Sequence, residues 1–221
     1  MIRDNRKSID YFKSYIAYQK ERIRKKKEKL STCGDDKSKA ERINLSLLNF
    51  EIDLLYAEFS LGTKKSGLIA FLNDAIDTAT KMTKIDYESL LNLLALSVLL
   101  DNNKKAQILI KNHRDMIYKD KLLKFLAIYL KEADIKWEGE FTIPAVYGKL
   151  ETIYLSDDKE SVLLEYLNVW YEEHKDTSWY GSDSSNNDIY VGYWSFESAA
   201  IAKIMKITER KLGKNVYYPK L

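Results

Sequence analysis

Cysteine occurs once in the 221 residues, at Cys33, so no internal disulfide can form. Histidine occurs twice, at His113 and His174, too few and too far apart in sequence for a Cys/His zinc site; no metal or other cofactor is expected. Proline and glycine are scarce, at 2 and 8 residues, while Leu, Lys, Glu and Ala abound, and a chain so poor in helix breakers is expected to be all-α. No apolar run reaches the roughly 18 residues that a membrane span requires. The N-terminal MIRDNRKSIDYF carries charge where a signal peptide needs an apolar stretch, so a cytoplasmic location is expected. A glycine-rich phosphate loop, an H-E-x-x-H helix and a G-x-S-x-G elbow are also missing, so catalysis has no positive support and no catalytic residue is assigned.

What is present is charge, unevenly placed. The formal net charge is +3, yet residues 132–201 hold 4 Lys/Arg against 15 Asp/Glu, a net of −11, while residues 1–42 hold 14 against 7. The basic excess is densest at Arg22, Arg24, Lys25, Lys26, Lys27 and Lys29, which reads as a solvated helix end near the negative pole of the macrodipole. A nucleic-acid patch is the rival reading, but the cluster contains no aromatic platform for base stacking.

Along the chain, Phe12, Ile16, Ile23 and Leu30 recur at spacings of four and seven, predicting an amphipathic helix over 7–30. A second follows over 40–61 with Ile43, Leu47, Phe50, Leu54 and Leu61, and the pair forms a helical hairpin. Gly62 is placed to end it and Ser66 to cap a third helix. Asp86 opens a helix, YESLLNLLALSVLL, apolar on nearly every side, expected at the centre of an N-terminal bundle. Helical segments near 103–111 and 119–131 continue it, with His113 between them as a surface or loop residue. The acidic stretch from Glu132 to Thr142 marks the expected boundary between domains 1–131 and 132–221. Pro144 begins a helix AVYGKLETIYL, and Ser156 or Asp157 caps the next, whose stripe is Leu163, Tyr166, Leu167 and Trp170. A small-residue helix starts near Ser195, where Ala199, Ala200 and Ala202 imply close packing. The expected architecture is an irregular bundle of eight to ten helices in two halves.

The C-terminal third carries a more specific pattern. A WY-x-x-HK run at Trp170, Tyr171, His174 and Lys175 is followed by the pair Trp179 and Tyr180, the block GYWSFE-x-AA-x-AK from Gly192 to Lys203, and a YYP tail at Tyr217 to Pro219. In this order these features resemble the C-terminal domain of PoNi-type immunity proteins, the antidotes of PoNe-type antibacterial nuclease toxins. The N-terminal half is similar to that family's N-terminal domain through its start, KSIDYF, and the basic helix that follows.

The resemblance implies a helical, non-enzymatic immunity protein that binds a cognate nuclease toxin and blocks DNA cleavage, without itself binding nucleic acid or membrane; a homodimer is left open. A nuclease must present positive charge to phosphates, so an acidic partner is attracted to that same surface. The expected contact residues are Asp157, Asp158, Glu160, Glu172, Glu173, Asp176, Asp183 and Asp188, with the aromatics Trp179, Tyr180 and Tyr190. Trp194 and Phe196 are expected in the core. His174 beside Asp176 suggests acid/base chemistry only by proximity in sequence. The alternative is a helical adaptor for an unrelated protein.

Overall fold

The computed structural model describes residues 2–131, 133 and 136–221; Glu132, Asp134 and Ile135, at the start of the expected acidic boundary, lie outside the described residues. The chain is all-α, with ten α-helices and no strand among the described residues. It divides into two compact units, one of Met1–Ser89 with Gly181–Gly192, the other of Leu90–Tyr180 with Tyr193–Leu221.

The first unit is built on the expected hairpin. Helix α1, Ile9–Ser31, starts where the Ser8 hydroxyl accepts the Tyr11 amide, and it buries Phe12, Tyr15, Ile16, Gln19 and Ile23. Helix α2, Lys37–Leu61, is capped by the Asp36 carboxylate and packs along α1. It ends at Gly62, whose φ of 100° is the left-handed conformation that closes a helix with little strain only at glycine. Helix α3, Lys65–Ala79, begins two residues earlier than a Ser66 cap requires. Lys64 holds the cap position with no side-chain bond, and the preceding turn is instead fixed by the Thr63 hydroxyl donating to Glu58 at 2.6 Å. Lys27 ties the three helices together, 3.2 Å from Glu51 on α2 and 3.0 Å from Asp74 on α3.

The second unit takes the apolar helix α4, Tyr87–Leu100, from Leu90 onward, so most of this helix lies outside the N-terminal bundle in which it was expected. Asp86 does cap it, accepting the Ser89 amide at 2.8 Å, and every residue from Leu90 to Leu100 is buried. Its last carbonyls, on Val98 and Leu99, accept from Lys203, which also pairs with Asp101. A cation at a helix C-terminus satisfies carbonyls that have no partner within the helix. Helices α5 (Asn103–Asn112), α6 (Arg114–Ile117) and α7 (Lys121–Leu130) follow. His113, expected as a surface or loop residue, does lie in the turn between α5 and α6 but is buried there.

Pro144 opens only a four-residue helix, α8 (Pro144–Tyr147), followed by the single 3₁₀ turn Gly148–Leu150, instead of the longer helix expected to Leu155. Tertiary partners claim the residues that would continue it. Lys121, itself buried, reaches both carboxylate oxygens of Glu151 at 2.5 and 2.7 Å, and the Trp137 indole donates to the Glu151 carbonyl at 3.3 Å. Helices α9 (Lys159–Glu173) and α10 (Phe196–Met205) pack on each other; α9 buries the four expected residues Leu163, Tyr166, Leu167 and Trp170.

Candidate partner-binding site

The acidic surface is organised by α9. Its N-cap is Asp158, not Ser156 or Asp157: Asp158 accepts the Ser161 amide at 3.0 Å and the Ser161 hydroxyl at 2.7 Å, and these bonds hold its carboxyl below the usual range. Glu160 does not close a capping box but turns outward to accept the Lys211 amide at 2.6 Å. Near the other end of the helix, Glu172 accepts from the Tyr180 hydroxyl and Glu173 pairs with Lys149 at 3.6 Å. The helix is about 22 Å long, so Asp157, Asp158 and Glu160 stand at one end and Glu172, Glu173 and Asp176 at the other. They are two clusters, not one. Glu165 and Asn168, exposed and spaced three and four residues from each other and from Glu172, share its solvent face and lie along the run between the clusters. Glu165 escaped notice in the sequence, although this spacing signals it.

The aromatic part of the pattern converges at the C-terminal end of α9. Trp170 stacks on Trp179 at 5.3 Å, and Tyr171 stacks on Tyr180 at 4.4 Å and on Tyr217 at 5.4 Å. Tyr193 packs against both Tyr171 and Trp179. The four motifs, separated in sequence, are therefore one cluster, with Tyr193 buried and Tyr171, Trp179, Tyr180 and Tyr217 partly exposed. His174 belongs to this packing rather than to any acid/base pair with Asp176: it is buried, its ring lies 4.8 Å from that of Trp170, and its Nδ1–H donates to the Trp170 carbonyl at 2.6 Å. Partial desolvation and the Glu172 carboxylate push the Tyr180 phenol up.

Behind the cluster lies a buried carboxylate that the sequence did not reveal as a hub. Glu197 is 3% exposed, and its Oε1 accepts from the Tyr166 hydroxyl at 2.7 Å, the Trp170 indole at 2.7 Å and the Ser195 hydroxyl at 2.5 Å. Two of these donors are on α9 and one precedes α10, so Glu197 joins the helices; the Ser195 amide donates to the Tyr217 carbonyl at 2.9 Å and adds the tail. Trp194 and Phe196 are buried, as expected.

Tyr190 is not a surface residue. It lies in the first unit, fully buried, with its hydroxyl donating to Asp4 at 2.5 Å; its amide donates to the Tyr11 hydroxyl, which donates in turn to the Tyr190 carbonyl. Burial, with the Asp4 carboxylate, raises the Tyr190 phenol strongly. Its side chain is withdrawn from the contact candidates. The same returning segment carries Asp188, exposed, and Asp183, half-buried.

Much of the basic run on α1 is engaged within its own unit. Arg24 pairs with Glu21 and Glu28, Lys25 with Glu21, and Lys27 with Glu51 and Asp74, while the Arg22 guanidinium lies 3.6 Å from the centre of the Phe50 ring.

The fold and this site define an all-helical protein with acidic and aromatic side chains presented together on α9. The crystal structure of protein PA2201 from Pseudomonas aeruginosa has the same fold, with a TM-score of 0.75 at 16% identity over 98% of this chain and 87% of that one. Residues 3–111 match the family described as PoNe immunity protein (PoNi), N-terminal, and residues 118–221 match PoNe immunity proteins (PoNi), C-terminal. The chain belongs to the PoNe immunity protein family. No curated protein matches it in sequence.

Proposed function

We propose that this immunity protein neutralises a cognate PoNe-type nuclease by binding it through the acidic face of the second unit, covering the surface that would receive DNA. The carrying observation is the −11 charge of residues 132–201, part of it displayed on and around α9, where Glu165 on the helix and Asp157 and Asp176 just beyond its two ends are exposed. Such a field accelerates encounter with a cationic nuclease and opposes phosphate binding by the immunity protein itself. Asp158, Glu160, Glu172, Glu173, Trp179 and Tyr180 complete the proposed contact on this unit; Asp183 and Asp188 on the first unit are proposed as additional contacts. The action is stoichiometric rather than catalytic and takes place in the cytoplasm of the protected cell.

Co-expression with candidate PoNe-type toxins, beginning with any encoded next to this gene, is expected to restore growth against the cognate one; failure to protect against every such toxin rejects the reading. Reversing Asp157, Glu165 and Asp176 to Lys together should slow association about 10- to 100-fold at low salt, with little effect at high salt. Unchanged association removes the electrostatic account, and a complex that leaves the nuclease active site open to DNA removes direct blocking.

A further inference from the structure

We infer that Tyr180 and Glu172 form an arginine-binding anchor, the point at which the toxin is held rather than merely steered. This deepens the proposed neutralising contact and rests on it.

Three observations single out this pair. Tyr180 ends a column of rings: it stacks on Tyr171 at 4.4 Å, which stacks on Tyr217 at 5.4 Å, and Tyr180 makes no second ring contact among the described residues. Its hydroxyl donates to both Glu172 oxygens, at 3.2 and 3.1 Å, so ring and carboxylate are fixed relative to each other before any partner arrives. Finally, two of the three acids at the other end of α9 are already occupied, Asp158 as the helix cap and Glu160 by the Lys211 amide, and the third, Asp157, has no ring hydrogen-bonded to it among the described residues. At the C-terminal end of α9 the exposed Glu172 carboxylate and the partly exposed Tyr180 ring are joined by a hydrogen bond.

The chemistry that fits is a guanidinium. It lies flat on an aromatic face while its edge pairs with a carboxylate, which the compact, strongly hydrated ammonium of lysine does less well. Glu172 retains lone pairs for such a bond while accepting from Tyr180. The net acidity argues for a cationic protein as occupant: a nucleic acid could stack a base on Tyr180, but its phosphates would meet Glu172 and Asp176. Because the site is rigid, little conformational freedom is lost on binding, and its contribution should appear in the dissociation rate.

The test uses the full-length chain and a catalytically inactive form of the PoNe-type toxin that it neutralises in co-expression, with association and dissociation rates measured separately and a thermal melt run on each variant. Y180A is expected to speed dissociation about 10- to 100-fold while leaving association within about 2-fold. Y180F should stay within about 3-fold of the parent, since it keeps the face, and E172Q should speed dissociation about 10-fold. Y180L, which keeps bulk without a π-face, should resemble Y180A. Parental dissociation rates in folded Y180A or Y180L overturn the anchor. Absence of any complex with the parent chain instead overturns the neutralising contact on which the anchor rests.

Discussion

Each compact unit buries a carboxylate against hydroxyl donors, and the two are compensated differently. In the first unit Asp4 accepts from Tyr190 and the Arg6 amide and also pairs with the Arg6 guanidinium at 3.2 Å. In the second, Glu197 gathers three neutral donors on one oxygen and pairs with no cation among the described residues. A cation keeps Asp4 compensated when one hydrogen bond is lost. Neutral dipoles work only as a set, because each orphaned donor then carries its own desolvation cost. The second unit is therefore the more exposed to single substitutions, and its vulnerable point lies directly behind the proposed toxin surface.

The largest effect should come from E197A, which strips the acceptor from Tyr166, Trp170 and Ser195 together. Urea unfolding should show a loss of about 3 to 5 kcal/mol, and E197Q, which retains a carbonyl oxygen, a smaller one. A loss below 1 kcal/mol for E197A would break the contrast.

Asp53 offers an intermediate case. It accepts from Tyr15 at 3.4 Å and Gln19 at 3.1 Å, with Arg22 nearby; burial outweighs them and pushes its carboxyl up to about 6. As pH rises above about 4, the unfolded chain releases this proton before the folded one does. Stability contributed here therefore falls between about pH 4 and pH 6 and is level above. D53N should remove that slope and gain on the order of 2 kcal/mol at pH 7, seen in melts across pH; an unchanged slope would show the carboxylate to be better compensated than its burial implies.

Y190F should cost less than E197A, about 1 to 2 kcal/mol, because Arg6 still compensates Asp4. An equal loss would erase the distinction between the two hubs. Smallest is D158A, which removes the α9 cap for about 1 kcal/mol in thermal melts.

The hairpin of α1 and α2 was legible because its apolar spacing and the Gly62 stop are local. The same holds for the Asp86 cap and the α9 stripe. What could not be read locally depended on distant partners. Pro144 correctly signals a helix start, but Lys121 and Trp137 decide how soon that helix ends. Tyr190 resembles a surface aromatic in a polar loop, and its burial follows from Asp4, 186 residues away. The acids of α9 were identifiable as acids; their division between two ends of a helix follows from its length. The scattered aromatic motifs were enough to recognise the family, yet only the fold shows that they are one cluster.

The return of Gly181–Gly192 to the first unit has a consequence for synthesis. Residues through Ser89 leave the ribosome ahead of the segment carrying Tyr190 by 92 positions, about 5 to 20 seconds at ordinary elongation rates. During that interval Asp4, Tyr11 and Ser60 lack the backbone and hydroxyl groups they bind in the finished protein. The N-terminal unit can form its three helices early, but it is completed only after most of the second unit has been made.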